Sequence, residues 1–242
     1  MKVLKVYGLS VWHSHCIRFR LKKNGFYWGE CMSSLAKGDV NSIETKYLLN
    51  TGDTVEIEGP VRGDYINSLE FDNQLNNFRL AARQHEALVN ITGLEAGYVF
   101  IARYRDTIVG YITFHRPDEY GRWHRHPRVL ELGCVEVSPG WRGHRIGKTL
   151  LKKAFSQPLF EQYIVITTEY YWHWDMESSG LDVWSYQKML TNLFGAAGFE
   201  RRRTDDEEIM EHPANVLMVR VGNRVSRDDL VAFERLLFLT MF

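Results

Sequence analysis

Cysteine is scarce in this sequence. Cys16, Cys31 and Cys134 are three among 242 residues, odd in number, scattered, and without a CxxC pair. That excludes a disulfide framework and leads us to expect a reducing, cytoplasmic setting. Surplus charge is missing as well: Lys and Arg number thirty, Asp and Glu thirty. No whole-molecule field therefore draws the chain to nucleic acid or to an anionic membrane. Long apolar runs are absent too. Nothing approaches the ~20 residues that cross a bilayer, and no apolar segment with a small-residue cleavage site opens the chain. The expectation is a soluble protein. Internal repeats and low-complexity tracts are likewise lacking. What the chain does have is 45% hydrophobic residues over 242 positions, enough for one substantial core.

Residues 1–31 differ from the rest. Lys2, Lys5, Arg18, Arg20, Lys22 and Lys23 stand against Glu30 alone, with Trp12, His13, His15 and Trp28 among them. A basic, aromatic arm suits RNA or a membrane surface. The plainer reading, adopted here, is an extension of unknown role with no nucleic-acid and no membrane partner. From about Asn41 the pattern becomes regular. GDTVEIEGPV (52–61) alternates as a short strand stopped by Gly59 and Pro60. LNNFRLAARQHEALVNITGL (75–94) has helical spacing. Two β-rich runs, 98–106 and 107–117, read as a hairpin turning at Arg105-Asp106-Thr107. A polar loop (121–128), a strand (129–138), a helix (141–155), a strand (163–171), a helix (181–198) and a strand (214–222) follow. Ser226 and Asp229 form a relative of the capping box and open a terminal helix over 226–238. The order is α+β, with a main domain over 32–225 and a helix over 226–242 packed on it.

The segment EVSPGWRGHRIGKTLL (136–151) is where chemistry is expected. A strand ends, a glycine-rich turn follows, and a helix begins with its first amides uncommitted. Such a turn aims several backbone N–H groups and the positive end of a helix at one point, which suits a phosphate or pyrophosphate. Glycine lets the anion approach the backbone closely. A P-loop does not fit, because Arg142 stands where its first glycine should be and Gly143 comes one residue too late. A GxGxxG fingerprint is absent too. The plain alternative is a strand-turn-helix whose glycines only shape the turn.

Val137, Pro139, Arg142 and Gly147, followed by Leu150 and Leu151, match the pattern V-x-P-x-x-[QR]-x-x-G-x-[GA]. On these residues the segment resembles the pyrophosphate loop of the GNAT N-acetyltransferase superfamily, with Arg145 in place of the middle glycine. The later elements agree in order and include Gly198-Phe199. YIVITTEYYWHWD, LDVWSYQKM, HPANVLMVRVG, IEGP and TIVGY further resemble the acetoin-utilisation acetyltransferases, over roughly Val55 to Phe238. The resemblance implies the GNAT fold, a mixed, mostly antiparallel sheet flanked by helices with a splayed central pair of strands. It also implies a protein lysine acetyltransferase that uses acetyl-CoA as cosubstrate and no metal. Its implied partner is AMP-forming acetyl-CoA synthetase, silenced by acetylation of an active-site lysine. A small-amine acetyltransferase and a non-catalytic CoA-binding regulator are the alternatives, and oligomeric state cannot be read from the sequence.

Within that frame the loop residues Arg142, Gly143, His144, Arg145, Ile146, Gly147 and Lys148 would hold the pyrophosphate, and the backbone at Val135 and Val137 the pantetheine arm. A lysine of pKa ~10.4 must lose a proton before it attacks. Glu131, eleven residues before Arg142, is the first candidate base; Glu136 and Glu169 are the others. Glu131 and Glu136 are an odd number apart, so a regular strand turns them to opposite faces. Phe194 occupies the place where many members of the superfamily carry a tyrosine acid, which leaves Tyr186 as the candidate donor. In ITTEYYWHWD (166–175), Glu169, Tyr170, Tyr171, Trp172 and His173 are expected to divide between the core and an acceptor groove at a strand end. His173 lacks a companion at metal-ligand spacing.

Overall fold

The alternating and β-branched runs form strands, and nine of them build one sheet in a computed structural model that describes residues 45–49 and 52–239. The extension expected at 1–31 lies outside those residues. In chain order the strands are β1 (Thr45–Leu48), β2 (Thr54–Glu58), β3 (Glu70–Phe71), β4 (Tyr98–Tyr104), β5 (Thr107–His115), β6 (Val129–Val137), β7 (Ile164–Glu169), β8 (Glu200–Arg202) and β9 (Val216–Val221). The helices are α1 (Gly63–Asn67), α2 (Ala81–Thr92), α3 (Ile146–Phe155), α4 (Met176–Ser179), α5 (Val183–Gly195), α6 (Glu207–Met210) and α7 (Arg227–Leu237). The sheet order is β1-β2-β4-β5-β6-β7-β9-β8, with β3 pairing β5 off this path. Every pair along the path is antiparallel except β6 with β7.

That parallel pair positions the site. Its ladder holds only Val129↔Ile164, Leu130↔Val165 and Glu131↔Ile166. Beyond it β6 runs on to Val137 along β5, while β7 runs on to Glu169 along β9. The two strands part there and leave a fork in the sheet. One face of the sheet buries Leu130, Leu132, Val165, Val216 and Met218 against α3 and α5 through Leu150, Leu151 and Phe194. The other face packs Ile164, Ile166, Leu217 and Val219 against Trp123 and the α7 residues Phe233 and Leu237. α7 opens as its sequence predicts: Ser226 Oγ accepts from Asp229 N at 3.0 Å and donates to Asp229 Oδ2 at 2.7 Å.

Several boundaries differ from the periodicity, each for a local reason. The helix expected from 75 begins at Ala81. The amides before it bond elsewhere, Gln74 N to Asp72 Oδ1 (2.9 Å) and Asn77 N to Glu136 Oε1 (2.9 Å). The helix expected from 141 begins at Ile146, because Gly143 (φ +82°) and Arg145 (φ +60°) hold left-handed backbone that no helix accommodates. The helix expected from 181 begins at Val183, where Asp182 Oδ1 accepts from Trp184 N (2.9 Å) and Ser185 N (3.2 Å). The strand expected to reach 171 stops at Glu169, opposite the first residue of β9.

A further correction concerns the two glutamates of β6. In the β5–β6 ladder Cys134 pairs with Thr113 and Leu132 with Phe114, so Gly133 is an extra, bulged residue. A bulge shifts the alternation by one. Glu131 pairs with His115 and Glu136 with Tyr111, and those partners, four residues apart on β5, share a face. Glu131 and Glu136 thus emerge on the same face rather than on opposite ones.

Candidate active site

At the end of β6 the chain turns through Ser138 and a short 3-10 turn, Pro139–Trp141, before α3. Trp141 N bonds to Ser138 O and Arg142 N to Pro139 O. From Gly143 to Lys148 the backbone N–H groups have no acceptor among the described residues, and Arg145, at the N-cap, supplies no side-chain cap. The row of open amides therefore starts one residue later than the sequence suggests, since the Arg142 amide is already bonded. The Arg142 side chain instead ties the turn down. Its guanidinium donates from Nε to Val137 O (3.0 Å) and from Nη1 to Ser178 Oγ (2.8 Å), and pairs with Asp175 (2.8 Å). Those bonds to Ser178 and Arg142 hold the Asp175 carboxyl below its ordinary pKa against a burial effect in the other direction.

The open amides face a pocket of about 420 Å³. Val135, Val137, Ile146 and Gly147 form one wall, Met189, Leu190 and Leu193 of α5 another, and the exposed residues Arg145 and Lys148 also line it. His144, half-buried, is not part of the lining. A second, narrower pocket of about 90 Å³ fills the fork itself. It is bounded by Leu132 to Val135 of β6, Thr167 to Glu169 of β7, and Tyr186, Leu190 and Phe194 of α5. Asn77, Val135, Tyr186 and Leu190 border both pockets, so the two meet there. From Leu132 to Val137 the edge of β6 that faces β7 has no strand partner among the described residues, which leaves it open to an extended ligand that adds like a strand.

Of the three candidate bases, only Glu169 lines the fork pocket. It accepts from Thr167 Oγ1 at 2.6 Å. Burial pushes its carboxyl up to about 7; the Glu131 charge adds to the rise, while the Thr167 hydroxyl and the nearby Trp174 indole oppose it. Glu131 is half-buried at the last rung before the fork, where Thr168 Oγ1 approaches its Oε1 at 3.4 Å. Glu136 is committed elsewhere. It is buried, accepts from the Tyr111 hydroxyl and from Asn77 N, and burial raises its pKa.

The aromatic stretch lies past the end of β7 rather than on it. β9 begins at Val216, opposite Glu169, and the buried side chain of Asn215 takes over as pairing partner. Asn215 Oδ1 accepts from Tyr171 N (3.0 Å) and Nδ2 donates to Glu208 O (2.8 Å). The chain then folds into a 3-10 turn, Tyr171–His173. Tyr170 is buried, lines the fork, and donates its hydroxyl to Glu208 Oε2 (2.8 Å); burial and that carboxylate raise its pKa well above normal. His173 lines the fork and meets Phe78 edge-on at 6.5 Å. Tyr171 packs on His212 at 4.1 Å and Trp172, largely exposed, stacks on Tyr170 at 4.8 Å; neither lines the fork. Tyr186 borders both pockets and stacks on Trp174 at 5.3 Å, with its pKa raised by burial.

Sequence reasoning missed Asn77, Phe78 and Trp174. Nothing in their local pattern marks them, because they reach the fork from a loop and a turn. Gly133 was findable: a lone glycine inside a strand pattern signals a bulge. Among the described residues no group of three or more His, Cys, Asp or Glu is placed to hold a metal ion, and no helix is long and apolar enough to cross a membrane.

A forked mixed sheet, with open amides at the turn beside the fork and a pocket running between them, defines a GNAT-fold N-acetyltransferase. Residues 67–171 match the acetyltransferase (GNAT) family model. Acetoin utilization protein AcuA of Bacillus licheniformis is 46% identical over 203 residues, 83% of this chain and 97% of its own length. The Bacillus subtilis protein of that name is 46% identical over 184 residues, 75% and 88% of the two chains. A crystal structure of an acetoin utilization protein from Exiguobacterium sibiricum superposes with a TM-score of 0.78 at 42% identity, covering 84% of this chain and 97% of that one. The chain belongs to the AcuA family of GNAT N-acetyltransferases.

Proposed function

We propose that this enzyme transfers the acetyl group of acetyl-CoA to the side-chain amine of a lysine on AMP-forming acetyl-CoA synthetase, in a cell that uses acetoin or acetate. The observation that carries the acetyl-CoA part is the row of unpartnered amides from Gly143 to Lys148 opening on the larger pocket. Backbone donors at a helix start favour a diphosphate, and Arg145 and Lys148 add charge. The pantetheine arm then lies along the open edge of β6, by Val135 and Val137, and carries the thioester into the fork, where a strand amide polarises its carbonyl.

A lysine side chain is slender, and the fork pocket is narrow and rimmed by the rings of Phe78 and His173, which suits an amine presented on a protein surface. Exposed Trp172 and Trp184 continue the aromatic surface through Tyr171 and His212. The lysine must shed a proton, and Glu131 is the group we assign to receive it. It is half-buried, on the face away from α5, and free of the two strong hydrogen bonds that occupy Glu136. The names of the relatives support the link to acetoin.

The test is to incubate the protein with acetyl-CoA and purified synthetase and to map acetylated lysines by mass spectrometry. One modified active-site lysine with loss of synthetase activity is the expected result. Acetylation of free amines with an untouched synthetase would overturn the protein-substrate assignment.

A further inference from the structure

We infer that Glu169 is the acid that protonates the CoA sulfur as the thioester breaks; the inference rests on the acetyl-CoA reading above. Glu169 pairs with Val216, which packs with Phe194 and α3 on one face. Glu131 pairs with Ile166, which packs with Trp123 and Phe233 on the other. The larger pocket lies on the α3 and α5 face. The donor therefore enters from the side of Glu169, and the amine-side base stands across the sheet from it.

The hydroxyl and thiol donors on the fork are engaged or are weaker acids. Phe194 has no proton to give. The Tyr170 hydroxyl donates to Glu208. The Cys134 thiol approaches the Tyr111 hydroxyl at 3.5 Å, and Tyr186 borders both pockets but burial raises the pKa of its phenol above the ordinary value, which makes it a weaker acid than Glu169. The titratable groups around Glu169 are Glu131 and Cys134 from β6, Tyr170 and His173 from the turn after β7, and Tyr186 from α5. No lysine or arginine stands among them to hold Glu169 ionised. Its pKa of about 7 keeps a substantial share protonated at neutral pH.

The step balances as follows. The lysine nitrogen attacks the thioester carbonyl carbon and a C–N bond forms. The C–S bond breaks, its electron pair goes to sulfur, and the Glu169 O–H gives its proton to that sulfur. CoA leaves as the thiol and Glu169 is left as carboxylate. The proton shed by the attacking nitrogen passes through Glu131 to water, and water restores the Glu169 proton.

The pH profile tests this. In the wild type kcat/KM should rise tenfold per pH unit up to about 7 and then level off, because the neutral lysine gained above that pH (pKa ~10.4) is matched by Glu169 acid lost. Glu169→Gln should lower kcat at neutral pH by about 100-fold, leave KM for acetyl-CoA within about twofold, and continue rising above pH 7. Glu169→Asp should restore part of the plateau. A Gln variant with wild-type turnover and profile would overturn the inference. So would a wild-type profile that keeps climbing well above pH 7, a measurement that needs no variant. Failure of the wild type to bind CoA by calorimetry would instead sink the acetyl-CoA reading itself.

Discussion

β6 and β7 run side by side for three rungs and then end in turns of opposite construction. The turn after β6 leaves its peptide amides from Gly143 to Lys148 without partners among the described residues. In the turn after β7, side chains from other parts of the fold take up the polar groups. Asn215 accepts from Tyr171 N, Glu208 accepts from the Tyr170 hydroxyl, and Asn77 Nδ2 donates to His173 O at 3.0 Å. Donors left without partners at a surface bind a ligand, whereas satisfied ones hold a wall in place. One turn is thus built to be completed by substrate, and the other is complete already.

Replacing Gly143 by Val attacks the first turn alone and should have the largest effect on binding. Gly143 sits at φ +82°, and a Cβ added there meets nothing within 4 Å, so only the backbone preference changes. A β-branched residue in that region costs ~1–3 kcal/mol. The turn should relax and disperse its amides, raising the acetyl-CoA Kd by ~10- to 100-fold in calorimetry. Gly143→Asn, which tolerates left-handed backbone, should lose much less. An unchanged Kd in the Val variant would mean that the amides are not the binding element.

The second turn should respond in stability rather than affinity. Asn215→Ala strips the acceptor from Tyr171 N and the donor from Glu208 O, both in a partly buried setting. The loss should be ~2 kcal/mol in urea unfolding, with acetyl-CoA affinity held within about twofold. If affinity fell as far as in Gly143→Val, the two turns would not be independent and the contrast between them would fail.

The same difference explains what the sequence let a reader see. The β6 turn needs local features, glycine, proline and a helix start within a dozen residues, and these are visible in EVSPGWRGHRIGKTLL. The strand and helix order around it follows from periodicity in the same way, down to the Ser226 cap. The β7 turn depends on Asn215, Glu208 and Asn77, which are 38 to 96 residues away along the chain from the groups they satisfy, and no local pattern reports them. The face of Glu131 was misread for an intermediate reason. Gly133 is visible, but whether a strand glycine makes a bulge depends on its partner strand, here Thr113 and Phe114 of β5.

The smallest effect separates two contributions within the β6 turn itself. Arg145 stands where the superfamily pattern has glycine, and it adopts φ +60°, ψ +17° as the cap of α3. A side chain in that conformation costs ~1–2 kcal/mol, and glycine recovers that cost less its own greater freedom in the unfolded chain, ~0.5–1 kcal/mol. Arg145→Gly should therefore stabilise the fold by about 0.5–1 kcal/mol, a rise of a few degrees in Tm. It also removes an exposed cation from the edge of the larger pocket, so binding of acetyl-CoA should weaken at low salt and converge with wild type as salt screens the charge. Arg145→Lys keeps both the strain and the charge and should match wild type in each measurement. Gain in stability with salt-dependent loss in binding would show that at this position charge was retained at the expense of an easier turn; a loss in both would mean that the arginine side chain props the turn by contacts of its own.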